Sequence, residues 1–148
     1  MKITKIILTL LAVAGIALMS ACDNDDHPNK EDVFLKNLSA IWQLDNVFVD
    51  GKNVTTSFMG LTLNVVGDQT YSVQNPVSPI WPAAGSFMLE AGDDPALFNL
   101  LRDDGTMITV IELTKTTLKF SFSYIGTNDS SGGRVKGVSG DYTFEMHR

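Results

Sequence analysis

Beyond residue 38 the hydrophobic residues recur at every second position, the period of a strand with one buried and one solvated face. The clearest run is Leu118, Phe120, Phe122 and Tyr124 against Lys119, Ser121 and Ser123, repeated by Tyr142, Phe144 and Met146 against Thr143, Glu145 and His147. Trp42, Leu44 and Phe48 open an earlier strand that stops at Asp50-Gly51, a dipeptide suited to a type I′ hairpin. Leu61, Leu63 and Val65 follow, and Gly67-Asp68 turns the chain into Thr70 to Val73. Further strands are predicted over Ser86 to Glu90, Ala96 to Leu101 and Met107 to Leu113, separated by Gly92-Asp93-Asp94-Pro95 and Asp104-Gly105. Ahead of them, Val33, Phe34, Leu35 and Leu38 are spaced for a short amphipathic helix.

Eight short strands with close turns and one brief helix define an all-β meander. A closed, eight-stranded antiparallel up-and-down barrel accounts for one wet face per strand and removes exposed edges. A two-sheet β-sandwich is the alternative.

The N-terminus follows a different pattern. Lys2 and Lys5 precede a nearly unbroken apolar run of 14 residues, Ile6 to Met19, with small residues Ser20-Ala21 before Cys22. This is the layout of an export signal, and the run is shorter than the roughly 20 residues of a spanning helix. Leu18-Met19-Ser20-Ala21-Cys22 resembles a lipobox, with Met19 where Leu is usual. The resemblance implies diacylation of Cys22 as the mature N-terminus, hence a membrane anchor. Asp23-Asn24-Asp25-Asp26 and the polar residues after them read as a hydrated tether. An acidic run behind the lipidated cysteine also resembles the surface-export signal of Bacteroidetes lipoproteins. The expected organisation is a signal peptide over 1–21, a tether over 22–32 and a barrel over 33–148, held at the outer membrane on its surface or periplasmic face.

Composition narrows the function. Of 148 residues, 11 are Lys or Arg and 17 are Asp or Glu, and loss of Lys2 and Lys5 with the leader moves the net charge from −6 to −8. Without a basic face the chain is not expected to bind nucleic acid, because phosphate neutralisation needs one. The single cysteine excludes an internal disulfide or a Cys-rich metal site.

Leu38-Ser39-Ala40-Ile41-Trp42-Gln43-Leu44, Val49-Asp50-Gly51-Lys52 and Gly67-Asp68-Gln69-Thr70-Tyr71-Ser72, together with the lipobox, resemble the lipocalin-like lipoproteins of Bacteroidetes. Ala40 stands where lipocalins proper carry the Gly of Gly-x-Trp. The resemblance implies a fold and an address more than a ligand.

Chemistry is sparse. His27 and His147 have no partner at metal-ligand spacing, no Gly-x-Ser-x-Gly turn supports a nucleophile, and the acidic pairs Asp93-Asp94 and Asp103-Asp104 are explained by turns. The domain therefore reads as non-catalytic, with no cofactor and no metal, and as a monomer. The candidate contact residues are Ile80 and Trp81, carried by the proline-spaced Asn75 to Pro82 segment, and the inward aromatics Trp42, Phe120, Phe122 and Tyr124. Arg134, in a Gly-rich loop, is the candidate for an anionic ligand or partner. Trp81 either plugs one end of the barrel, lines a ligand entrance or anchors a partner. Two functions follow: a barrel that binds a small hydrophobic ligand, or a solid barrel whose loops contact an envelope protein or a glycan.

Overall fold

The computed structural model describes residues 28–126 and 139–148; the signal peptide, Cys22, most of the tether and Arg134 lie outside them. Helix α1 spans Lys30–Leu38. The Asn29 side chain accepts from the Glu31 backbone N–H at 3.3 Å, and Glu31, Asp32 and Lys36 sit where the helix dipole favours their charges. Its first turn takes three residues, Lys30 to Asp32, that the sequence assigns to the tether.

Among the described residues nine strands follow: β1 Ile41–Val49, β2 Lys52–Asn53, β3 Thr62–Val66, β4 Thr70–Gln74, β5 Ala84–Ala91, β6 Phe98–Arg102, β7 Met107–Leu113, β8 Thr117–Tyr124 and β9 Gly140–His147. Every pairing is antiparallel; β1 pairs with β3, each strand from β3 to β8 pairs with the next, and β9 pairs back onto β1, which closes an eight-stranded barrel of β1 and β3 to β9. The two-residue β2 is appended to the end of β1 through the predicted Asp50-Gly51 turn, where both residues have positive φ. The all-β barrel expected from the strand pattern is the architecture observed, and the sandwich is not.

Two details depart from the simple period. β1 carries a bulge at Asp45, between Leu44 and Asn46 in the β9 register. An extra residue reverses the faces beyond it, so Val47 and Val49 are buried while Phe48, expected inside, is half-exposed. The strand expected from Ala96 begins at Phe98, because the Asp94 carboxylate accepts from the Ala96 N–H at 2.8 Å and holds that stretch in a turn.

The ends of the barrel are closed differently. One carries α1 with the β3–β4, β5–β6 and β7–β8 turns. There Phe34 meets Phe98 edge-on, and Trp42 donates its Nε1–H to the Leu38 carbonyl at 2.8 Å beneath the Arg148 guanidinium. The other end carries the segment 75–83, the β6–β7 turn, the end of β8 and the start of β9. Between them the ladder partners Phe120 and Phe144, and Phe122 and Tyr142, stack at centroid distances of 5.2 and 5.7 Å. Phe58, on a 3₁₀ turn over Thr55–Phe58, packs edge-on against Phe144. The alternation along β8 and β9 thus delivers an aromatic wall to the interior.

Candidate functional site

The segment 75–83 does not arch over the solvent. It turns inward, with a cis peptide bond before Pro79, and buries Ile80 and Trp81 to 3 % exposure each. The Trp81 ring lies within 5.5 to 6.0 Å of the ring centroids of Phe120, Phe122, Phe144 and Tyr71. Aromatic faces at this separation attract beyond their area burial, so Trp81 is the centrepiece of the core.

Above it sits Arg102, at the C-terminal end of β6 and 2 % exposed. Its guanidinium carbon stands 5.0 Å from the Trp81 centroid and 5.7 Å from that of Phe122. Nε donates to Asp104 Oδ1 at 3.0 Å, Nη2 pairs with Asp104 Oδ2, and Nη1 donates to the Ile80 carbonyl at 3.3 Å. Arg102 therefore fastens the inserted segment to the β6–β7 turn. Partial burial by itself raises the Asp104 pKa. Hydrogen bonds from Arg102 and Thr106 outweigh it and hold the carboxyl at about 2.

Two buried groups here have no hydrogen-bond partner among the described residues, the Tyr71 hydroxyl and Trp81 Nε1. Burial pushes the Tyr71 hydroxyl pKa up; Arg102 opposes this, and Asp103 and Asp104 reinforce it. The hydroxyl occupies space opened by the missing side chain of Gly85, where a Cβ would stand 2.6 Å from it. Beside these groups is an internal void of about 30 Å³, lined by Leu63, Val65, Tyr71, Trp81, Arg102 and Phe120 among others. That is room for about one water, against roughly 300 to 1,000 Å³ for a ligand pocket.

The larger space is outside. A cleft of about 940 Å³ opens at the same end of the barrel between the β6–β7 turn and the end of β8. Asp104, Thr106, Met107, Ser123, Ile125 and Asp141 are among its lining residues.

Of the candidate contact residues, Ile80, Trp81, Phe120 and Phe122 are buried together around this core, while Trp42 is buried at the helix end. All five belong to the buried hydrophobic core. Tyr124, half-buried, lines the outer cleft, and Arg134 lies outside the described residues. The sequence reading missed Arg102 and its partner Asp104. His147 is exposed, and its Nδ1 lies 2.6 Å from Oδ1 of Asp45, the residue at the β1 bulge. Among the described residues no group of His, Cys, Asp or Glu could hold a metal ion. No protein-family model matches the chain, and no curated protein or solved structure matches it.

Proposed function

We propose that this protein is a lipid-anchored component of the cell envelope whose lipocalin-like barrel is solid and non-catalytic, and that it works as an interaction module through the end of the barrel that bears the outer cleft. The observation that carries this reading is the contrast between an internal void of about 30 Å³ and an external cleft of about 940 Å³. A carrier needs the reverse. Trp81 and the wall of Phe120, Phe122 and Phe144 fill the volume in which a hydrophobic ligand would sit. The anchoring half of the proposal rests on Leu18 to Cys22 and the acidic run behind it.

Native mass spectrometry of the full chain, released from detergent micelles after incubation with palmitate or haem, tests the solid interior. The expected spectrum shows the chain without either molecule. A stoichiometric complex accompanied by a red shift of tryptophan emission, as Trp81 leaves the core, would overturn the reading in favour of a carrier.

The anchor has its own test. Cys22→Ser is expected to abolish incorporation of an alkyne-tagged fatty acid and to move the protein from the detergent-rich to the aqueous phase on cloud-point partitioning. Partitioning unchanged by the substitution would remove the lipid from the proposal.

A further inference from the structure

Helix α1 turns two faces to its surroundings. Phe34 and Leu38 are buried against the barrel, and Phe34 meets Phe98. Lys30, Val33 and Asn37, spaced three and four residues apart, share a neighbouring face. They line an open groove of about 340 Å³ whose far wall is Pro95, Ala96 and Leu97 of the β5–β6 turn. Val33, Pro95 and Ala96 are exposed, and Leu97 is half-buried. Lys30 is the one charged residue lining the groove among the described residues. The nearby carboxylates are directed elsewhere: Asp94 Oδ1 accepts from the Ala96 N–H within the turn, and Glu31 and Asp32 do not line the groove. Exposed apolar side chains beside a single lysine suit the interfacial layer of a bilayer. There the apolar groups enter the acyl boundary and the long lysine stem lets its ammonium reach the phosphate level.

The place of the groove in the fold gives it that partner. Pro28, on its rim, follows Cys22 by six residues, a span of about 20 Å at full extension. A lipid on Cys22 would therefore hold this face beside the bilayer at high effective concentration, where a contact too weak to recruit a free protein suffices to orient a tethered one. Ile41 at the start of β1 and Val66 at the end of β3, both exposed, extend the apolar surface of the same barrel end. Glu31, Asp32 and Asp93 lie close enough in the chain to disfavour an anionic surface, so the matching lipid is zwitterionic.

We infer that the face formed by α1 and the β5–β6 turn docks onto a zwitterionic phospholipid surface, which points the opposite end of the barrel, with its outer cleft, away from the membrane. The inference rests on the anchoring half of the proposal above and adds the orientation in which the anchored domain stands.

The test uses the full acylated chain in phosphatidylcholine nanodiscs with a gadolinium-chelating headgroup on a small fraction of the lipid, and reads amide broadening residue by residue by nuclear magnetic resonance. Broadening should be strongest at Val33, Ala96 and Leu97. It should be about tenfold weaker at Gly105 and Thr106 of the β6–β7 turn, which the length of the strands holds about 20 Å farther off. Val33→Glu combined with Ala96→Glu, both at exposed positions, should keep the circular dichroism spectrum and the association with the disc but spread the broadening evenly over the barrel. Met88→Glu, an exposed position on the side wall, should leave the pattern unchanged. A Gly-Ser spacer inserted after Asp26 should also leave it unchanged, because the face and not the tether length sets the orientation. The inference is overturned by equal broadening at the two ends, by a pattern centred on the side wall, by a pattern indifferent to the Val33 and Ala96 substitutions, or by one lost on lengthening the tether. It is also overturned if the pattern forms only once phosphatidylglycerol is added. Evenly spread broadening on a chain that stays on the disc removes this inference alone; a wild-type chain that does not associate with the disc removes the anchoring reading with it.

Discussion

Trp81→Ala is expected to destabilise the barrel by about 3 to 5 kcal/mol, the range for truncating a buried Phe or Trp, read from the midpoint of urea unfolding by far-ultraviolet circular dichroism. Four aromatic neighbours lose their contacts with the ring, and Arg102 loses the face it stands over. Trp81→Phe separates packing from hydrogen bonding. Because Nε1 has no partner among the described residues, a phenyl ring forfeits volume but no bond, and its cost should stay near 1 kcal/mol. A large loss in Trp81→Phe would mean that the indole N–H is satisfied in solution. The Ala variant has a second expected property. The cavity left by the indole is walled by four aromatic rings with Arg102 over one face, a site shaped for a flat aromatic guest, so indole should raise the melting temperature of Trp81→Ala and leave that of the wild type unchanged. Equal response from both would show that the native interior has room to spare, against the solid-barrel proposal.

The barrel was legible because a one-sided strand leaves a period of two in the sequence, and β8 and β9 keep that period for their whole length. Where the period breaks, local signals mislead. Leu44 and Val47 are three apart, and the bulge at Asp45 that reconciles them depends on the register with β9, a pairing about a hundred residues away. The plug was half legible: Ile80 and Trp81 stood out in a proline-spaced connection, but inward insertion depends on the aromatic wall that receives them. Arg102 went unread for a different reason. Its run of Asp neighbours looked like a turn, yet it follows Leu100 by two and so shares its inward face. An inward arginine two residues before an aspartate was the available clue.

Arg102 and Asp104 form the arrangement for which breaking and replacing a pair should differ most. Asp104→Ala leaves a guanidinium, itself 1 % exposed at its side chain, without its counter-charge. Losing one partner of a buried pair costs about 3 to 5 kcal/mol, and the low end of that range is expected because the Asp104 side chain is 41 % exposed and partly screened. Arg102→Met combined with Asp104→Asn removes both charges and keeps most of the volume, so the double variant should lie within about 1 kcal/mol of wild type. If the two single substitutions instead summed to the double, the pair would contribute nothing as a pair. Acid sharpens the test. The folded carboxyl titrates at about 2 and the ordinary value is 3.8, so the unfolded chain takes up the proton first as the pH falls. The contribution of the pair is thus complete above about pH 4 and is lost progressively as the pH drops through 2. Urea titrations of wild type and Asp104→Asn should therefore differ by a constant amount from pH 7 down to about 4 and converge below it. A gap that persists unchanged at pH 2 would show that the Asp104 carboxyl does not hold Arg102, and through it the Ile80 carbonyl and the plug, by charge.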